Sequence, residues 1–505
     1  MKKISSAILT SFAIGLVAFA PRAQAVVPPP DGGYPRGNTA EGQSALLSLN
    51  TGFYNTAVGI YSNLSLIDGS FCTGVGAGTL LANTANENTA TGAGALLSNT
   101  TGTANTADGA FALFSNTEGP SNTAVGDRAL FTNTVGFNNT AVGAAALLNN
   151  TEGHENTAVG KEALSSNTTG SLNSAFGFGA LKSNTTGEQN TATGHDALRV
   201  NETGNSNTAV GSAALFSNIG NDNTATGSHA LSSNVDGDGN TAVGSIALFA
   251  NNAGNSNTAV GDQALAFNFD GDLNTAVGSE ALNDNNGGGN TAVGHQALTN
   301  NTTGMSNVAL GFGAGSFATT GSNNVYIGAG MGGVAGESNA CYIRSIFGQT
   351  TASGIPVLIN ANNKLGTTTS SKRFKEEIKP MDKASEALFS LKPVAFRYNK
   401  ELDPAGISQF GLVAEDVEKV HPDLVVRDKE GKAYSVRYDQ VNAMLLNEFL
   451  KAHRKAEEQE AKIERLENDM KTLIAHAKKQ DSQIQRMSAE IQMSKAATQV
   501  VVNRP

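Results

Sequence analysis

One pattern of polar and apolar positions repeats through more than half of the chain. It reads N-T-A-V-G-x-x-A-L-x-x-N-T-T-G-x-x and occurs in eighteen copies that start 17 residues apart, with 16 residues at three steps. The fifth position is Gly in every copy, and the eighth and ninth positions are Ala and Leu in fifteen copies each. Repetition this regular predicts one structural unit stacked many times. The copies begin at Asn38, Asn55, Cys72, Asn88, Asn105, Asn122, Asn139, Asn156, Asn173, Asn190, Asn207, Asn223, Asn240, Asn257, Asn274, Asn290, Asn307 and Asn324.

The composition of the unit favours β-structure. A unit of 17 residues is too short for a pair of helices, and its Thr, Val, Asn and Gly disfavour helices. Short β-branched runs between Gly and Asn-Thr-Thr-Gly predict strand, turn, strand, turn, which is one coil of a parallel β-solenoid over residues 38–340. Eighteen coils give a rod on the order of 85 Å long at the usual interstrand spacing. The Gly at position five should permit positive φ or close approach of the next coil, and stacked Asn side chains should form a hydrogen-bonded ladder.

Each repeat carries more apolar positions than we expect one coil interior to hold. Neighbouring residues on a strand point to opposite faces, so one member of the Ala-Leu pair and one member of the preceding Ala-Val pair should face outward. An apolar stripe along the whole rod would be unusual on a monomer. We therefore expect copies of the same chain to cover the stripe, which predicts an oligomer.

A second periodicity starts at Phe449, where apolar positions recur with a strict period of seven residues. Its two seams predict a coiled coil over residues 449–494, followed by a tail at 495–505. The heptads do not choose between two and three chains, and a single helix packed on its own domain is the alternative. One seam contains Phe449, Ala456, Ile463, Met470, Ala477, Ile484 and Ile491, and the other contains Ala452, Gln459, Leu466, Leu473, Gln480 and Met487.

The amino-terminal end has the composition of an export signal. Two lysines precede an apolar run from Ile8 to Ala20, and an Ala-Gln-Ala cleavage signal follows. These features predict a signal peptide at 1–25, a Pro/Gly linker at 26–37, and a protein that is secreted or held at the cell surface. A membrane anchor is the alternative, but the apolar run is short for a membrane span.

Charge and cysteine content narrow the classes of partner. Residues 1–371 hold 10 basic and 22 acidic residues, which argues against a nucleic-acid-binding surface because phosphate contacts need Lys or Arg. The two cysteines, Cys72 and Cys341, are too few for a disulfide framework, and we expect both to be buried in repeat positions. Asp236-Gly237-Asp238 lacks the spacing of a calcium loop, so we expect neither a metal nor a cofactor.

The repeat decays after Asn324, and a different module begins at Ser370. The sequence predicts a neck of short strands at 341–369 and a small α+β domain at 370–448. The domain opens with S-S-K-R-F-K-E-E-I-K-P and continues with P-V-A-F-R-Y, G-L-V-A-E-D-V-E and V-R-Y-D. This order of motifs resembles the C-terminal intramolecular chaperone of phage endosialidase and tail-fibre proteins, an autoproteolytic serine-peptidase family.

The resemblance implies a domain that trimerises, drives folding of the upstream β-structured fibre and then cuts itself off. On the family motif S-D-x-R-x-K, Ser370 falls on the nucleophile, Arg373 on the Arg and Lys375 on the Lys. The cut would fall between Thr369 and Ser370. Ser371 stands where the family usually has Asp, so Ser371 is the alternative nucleophile and an uncleaved domain is the alternative outcome. In such a dyad the lysine amine takes the proton of the serine hydroxyl.

The repeats also resemble the head repeats of trimeric bacterial surface adhesins, although those usually have a shorter period. Together these features predict a mainly β, secreted homotrimeric fibre with a self-cleaving chaperone domain. An adhesin or receptor-binding fibre with a permanent trimerisation domain is the alternative, and it should show a non-repetitive aromatic or charged patch. A glycan-degrading enzyme would need a pair of carboxylates in a cleft, of which the repeat gives no sign.

Overall fold

A computed structural model describes residues 34–349, 351 and 353–500. The expected signal peptide and most of the expected linker lie outside these residues. The chain divides into two compact units, the first of which ends at Gln349, and each unit has its own apolar core. Within the described residues, no helix is long and apolar enough to cross a membrane.

The first unit is a parallel β-solenoid in which each repeat forms one coil, so the predicted architecture is confirmed. Three-residue strands stack in a single parallel sheet, and each pairs in register with the equivalent strand of the next coil, as Thr140–Val142 does with Thr157–Val159. The strands in the described coils are Thr39–Glu41, Thr56–Val58, Thr73–Val75, Thr89–Thr91, Thr106–Asp108, Thr123–Val125, Thr140–Val142, Thr157–Val159, Ser174–Phe176, Thr191–Thr193, Thr208–Val210, Thr224–Thr226, Thr241–Val243, Thr258–Val260, Thr275–Val277, Thr291–Val293, Val308–Leu310, Val325–Ile327 and Cys341–Ile343.

The Ala-Leu pair does not form the second strand that the sequence predicts. It lies in a turn, and a second strand of two residues follows only in three of the described coils, at Ser217–Asn218, Ser233–Asn234 and Ala250–Asn251. The Leu adopts a left-handed backbone, with φ of +51° at Leu164. Because this turn directs both side chains inward, Ala163 and Leu164 are both fully buried.

Only one of the two expected sources of an outward apolar stripe is therefore present, the Ala-Val pair. The Ala-Leu pair fills the interior of its own chain and needs no second copy to cover it. The residue that faces outward is the Val at position four, of which Val159 is an example with 36% of its surface exposed. Its neighbour Ala158 is fully buried, as the alternation along a strand requires.

Buried asparagine ladders connect the coils. At position one, Asn122 Oδ1 accepts from the backbone N–H of Asn139 at 3.0 Å and from its Nδ2 at 3.1 Å. At position twelve, Asn150 Nδ2 donates to Asn133 Oδ1 at 2.8 Å and to the carbonyl oxygen of Gly153 at 2.9 Å. An uncharged amide both donates and accepts, so the same side chain serves the coil on each side of it.

The glycine at position five meets both of the expected requirements. Gly160 has φ of +136°, a backbone conformation that residues other than glycine rarely adopt. A Cβ placed on it would lie 2.4 Å from the carbonyl oxygen of Gly177 in the next coil. The glycine therefore allows the turn and also the close stacking of coils.

The core ends at Tyr326, which stands where most coils have a buried Ala. Its ring is fully buried and stacks on Tyr342 of the last strand, with 5.8 Å between ring centroids. That last strand, expected in the neck, pairs in parallel with Val325–Ile327 and so continues the solenoid. Cys72 is buried as expected, but Cys341 is exposed, because it lies at position two of the last strand, where side chains point outward.

The second unit combines short antiparallel hairpins with helices. The hairpins pair Val357–Ile359 with Leu365–Thr367, Val394–Phe396 with Gln409–Gly411, and Val425–Arg427 with Ala433–Val436. The helices are α1 (Ala414–Val420) and α2 (Tyr438–Val500), and 3-10 helices occur at Pro35–Gly37 in the first unit and at Lys372–Phe374, Asp382–Ser390 and Pro422–Leu424 in the second.

The core of the second unit is small. Val417 of α1 packs with Val425 and Val436 of the last hairpin and with Val441 and Met444 of α2. The first two turns of α2 thus belong to this core, and the same helix then continues through the residues predicted to form a coiled coil. The expected boundary between residues 448 and 449 falls inside one continuous helix.

The asparagine ladder can be tested with two neighbouring residues. Asn150→Ala should lower the free energy of unfolding by about 1–3 kcal/mol, because buried groups in three coils lose a partner. Asn149→Ala is the matched control, since Asn149 is exposed and should contribute less than about 0.5 kcal/mol. Chemical denaturation followed by circular dichroism measures both, and equal effects would contradict a ladder that carries stability.

The inward Leu can be tested in the same way. Leu164→Ala should cost about 2–5 kcal/mol, because it leaves a cavity in a core made of small side chains. Leu172 has a similar positive φ but an exposed side chain, so Leu172→Ala controls for the backbone conformation. Thermal unfolding of the two variants should show a large loss only for Leu164→Ala. Matching losses would mean that the turn, and not the packing, dominates.

Candidate functional site

The predicted catalytic residues lie on a short surface segment that follows the first hairpin of the second unit. Thr369 and Ser370 are exposed and have no regular secondary structure, and Ser371 is half-buried. A single 3-10 turn, Lys372–Phe374, follows. The N–H of Lys375 closes it by donating to the carbonyl oxygen of Lys372 at 3.2 Å. The peptide bond between Thr369 and Ser370 is therefore open to attack from the surface.

The two side chains of the predicted dyad are close in sequence but are not bonded. Within the described residues, no hydrogen bond joins Ser370 Oγ to Lys375 Nζ, and both side chains face solvent. Arg373 lies over the ring of Phe374, with 5.0 Å from its guanidinium carbon to the ring centroid. The N–H of Ser371 donates to Thr369 Oγ1 at 3.3 Å, across the predicted cleavage site. One chain alone thus holds the residues together in a loop without assembling a dyad.

A comparison with protein families assigns this part of the chain. Residues 370–426 match the family model described as chaperone of endosialidase. The match starts at Ser370 and ends within the strand Val425–Arg427, so it includes both predicted catalytic residues, Ser370 and Lys375, but not Thr369 on the other side of the predicted cut. It confirms the resemblance found in the motifs. No curated protein and no solved structure gives a significant match to the chain.

The chaperone domain contains a polar cluster that the sequence did not reveal. Ser385 of the 3-10 helix is fully buried, and its hydroxyl contacts Glu448 Oε1 at 2.5 Å and Asn447 Nδ2 at 2.7 Å. Lys451 Nζ lies 2.6 Å from Glu448 Oε1 and 3.3 Å from Ser385 Oγ. Ser385 is separated from its partners by more than 60 residues of sequence, so no local motif indicates the cluster.

This cluster ties the 3-10 helix of the chaperone domain to α2. Ser385 and Lys451 are of the residue types found in a catalytic serine–lysine dyad. The serine is buried, however, and its hydroxyl is hydrogen-bonded to Glu448 and Asn447, so a peptide cannot reach it. Hydrogen bonds from Lys451 and Ser385 hold the pKa of Glu448 below its ordinary value. The arrangement is suited to fixing α2 on the domain, not to catalysis.

The chaperone domain and its helix leave large apolar side chains in solvent. In the described part of the seam, every Ile, Leu, Met and Phe is more than half exposed. The hairpin before Thr369 is similar, because Val357, Ile359 and Leu365 are each more than 60% exposed. An isolated two-stranded hairpin is marginally stable in water at best. A single copy of this unit therefore leaves these apolar side chains uncovered.

The solenoid also carries a non-repetitive patch. Lys182 Nζ bonds Glu162 Oε2 at 2.6 Å across coils, and Arg199 bonds Asp196 at 2.9 Å. The Phe178 ring stacks on His195 with 5.2 Å between centroids. The sequence showed these residues one by one, but only stacking of the coils brings them to one surface. Among the described residues, no group of three or more His, Cys, Asp or Glu side chains could hold a metal ion.

The role of Glu448 gives a prediction with a defined pH dependence. A carboxyl whose pKa is lowered by folding adds stability at neutral pH and loses it as the pH falls through that lowered pKa. Glu448→Gln should therefore lower the melting temperature at pH 7, and the difference from wild type should shrink as the pH falls through the lowered pKa of Glu448. Glu464→Gln, an exposed position on the same helix, is the control. A pH-independent difference would contradict the ion pair.

Proposed function

We propose that this chain is a secreted homotrimeric fibre protein whose C-terminal domain holds three copies together during folding and then cuts itself off. The observation that carries the proposal is the chaperone-family match at 370–426, on a unit whose helix and hairpin expose their apolar side chains. The solenoid would form the mature fibre, and the C-terminal unit would act only during its assembly.

The exposed seam of α2 supports association of copies. The helix has 63 residues and would be about 95 Å long at the usual rise per residue. Helices this long in water need partners, since most helix stability in proteins comes from packing of an apolar face. Copies that pair through the heptads bury that face in parallel and in register. Three copies, and not two, is what the chaperone family implies.

A clamp outside the repeats answers a problem that the repeats create. Coils that are nearly identical can pair in many registers, and a slip of one whole coil costs few contacts. Parallel pairing between distant parts of a chain is also slow to form. A trimer fixed first at a non-repetitive end would give all three solenoids the same starting point.

The proposed cleavage is an acyl shift followed by hydrolysis. Ser370 Oγ attacks the carbonyl carbon of Thr369, while Lys375 accepts the hydroxyl proton and passes it to the leaving amide nitrogen of Ser370. The product is an ester between Thr369 and the Ser370 side chain. The Ser370 amine is free after this shift, and water then hydrolyses the ester to a Thr369 carboxylate and a free Ser370 hydroxyl. Because nucleophile and target are neighbours in the chain, proximity supplies much of the rate.

The exposed and unbonded state of the two side chains suggests when the cut takes place. A neighbouring copy packed over this segment would exclude water and favour the uncharged amine that a general base requires. Cleavage would then follow assembly, which is the useful order for a removable clamp.

A receptor-binding fibre is the second candidate. The patch around Phe178, Lys182 and Arg199 favours it, because such a fibre should differ locally from its repeat. This candidate concerns the purpose of the fibre and is compatible with either a cleaved or a retained C-terminal domain.

Cleavage can be tested by the intact mass of the purified protein. Wild type should yield one fragment that ends at Thr369 and one that starts at Ser370, whereas Ser370→Ala and Lys375→Ala should remain whole. Ser371→Ala and Lys372→Ala are the matched controls, because each removes a neighbouring residue of the same type and should still be cut.

The pattern of the variants decides among the alternatives. If Ser371→Ala stays whole and Ser370→Ala is cut, the nucleophile is Ser371. If wild type stays whole, the proposed peptidase activity is wrong and the domain is a permanent clamp.

A further inference from the structure

We infer that the three solenoids pack against one another through a single surface, the outward side of the stacked strands. This inference rests on the proposed trimer and adds to it the surface that the solenoids use. We call it the strand face. It consists of the residues at positions two and four of each coil, from Thr39 and Glu41 at one end to Cys341 and Ile343 at the other.

The composition of the strand face differs from that of the rest of the rod. Position two is Thr in fifteen of the nineteen strands, and position four is Val in ten. The only charged residues at these positions are Glu41 and Asp108. The remaining acidic residues of the repeats, and all four basic ones, lie between the strands. Identical copies can therefore approach through the strand face without bringing rows of like charge together, which other sides of an acidic rod would do.

The strand face is also a continuous apolar surface that a single chain leaves uncovered. Position three points into the coil, so the only way to bury the position-four side chains is from outside. Phe176 and Leu310 are 43% and 49% exposed at this position, similar to the valines in the other coils. Burying the row would remove from water a β-branched surface that runs the length of the rod.

The strand face is continuous and large enough for a stable interface. Each strand pairs with the next without a change of register, as in Thr123–Val125 with Thr140–Val142, so the two rows run along the rod without interruption. Nineteen strands at the usual spacing and three residues in width give an area of roughly 900 Å² for each copy. Specific interfaces bury about 800 Å² for each partner. The area is thus sufficient for packing between copies.

Three-fold symmetry makes a specific geometric demand on this face. Copies that start in register and run parallel place each residue at the same height as its counterparts. If the strand faces converge on the axis, every position-four residue lies beside its own equivalents in the other two copies. Residues in the turns on the opposite side of the coil then lie on the outside of the trimer, far from their equivalents in the other two copies.

A single introduced cysteine can test this geometry in the full-length protein. The exposed Cys341 is first replaced by Ser, while the buried Cys72 is left in place. Val159→Cys puts a thiol on the strand face, and Thr169→Cys, in the same coil, puts one on an exposed turn. After treatment with a short bifunctional maleimide, we expect most chains of the Val159→Cys protein to run as covalent dimers on a denaturing gel. The Thr169→Cys protein should remain almost wholly monomeric.

A separate measurement of native mass distinguishes the failure of this inference from failure of the trimer. If the protein has the native mass of a trimer but Val159→Cys does not cross-link, the strand face is not the interface and only this inference is wrong. Preferential cross-linking through Thr169→Cys would overturn it in the same way. If the native mass is that of a monomer, the proposed trimer fails and the packing of strand faces fails with it.

Discussion

The solenoid depends on a side-chain amide that can donate and accept at the same time. Asn150 donates to the coil before it through Asn133 and accepts from the coil after it through Asn167, so a coil inside the ladder is fixed to two others by the same group. A carboxylate could not donate, and an apolar residue would leave buried carbonyl oxygens without partners. The core can therefore be built from Ala and Leu alone, since position and spacing are already set by hydrogen bonds.

Much of the solenoid follows from its sequence, because its period is also its pairing register. Once the repeat is aligned, the strands, the ladder and the stacked glycines follow from simple rules about β-structure. The Ala-Leu pair did not follow, because alternation on a strand assumes an extended backbone. A left-handed Leu is uncommon, and here the burial of the Leu side chain offsets a conformational cost of about 1–2 kcal/mol. The Leu side chain is buried by the coils above and below it, and the sequence of a single repeat does not show those contacts.

The second unit was less predictable, for a different physical reason. Its motifs identify the family and locate Ser370 and Lys375, because those residues are neighbours in the chain. The cluster of Ser385, Glu448 and Lys451 joins elements that are distant in sequence, and no periodicity links them. The apolar seam of α2 was visible from the heptads, and a single chain leaves its described apolar side chains in solvent. The solenoid closes its own core in one chain, whereas the chaperone unit exposes the surface on which copies would meet.

The equivalence of the coils has a consequence for how such a rod can change over time. Removing or duplicating one whole repeat joins an asparagine to another asparagine, and the new neighbours meet through the same bonds as the old ones. Even the coils of 16 residues keep this contact, as Asn234 and Asn218 show at 2.7 Å. The length of the rod can thus be altered by recombination in steps of one coil, about 4.8 Å, without a new folding problem to solve. The length of this rod can therefore change during evolution while the contacts that stabilise each pair of neighbouring coils stay the same.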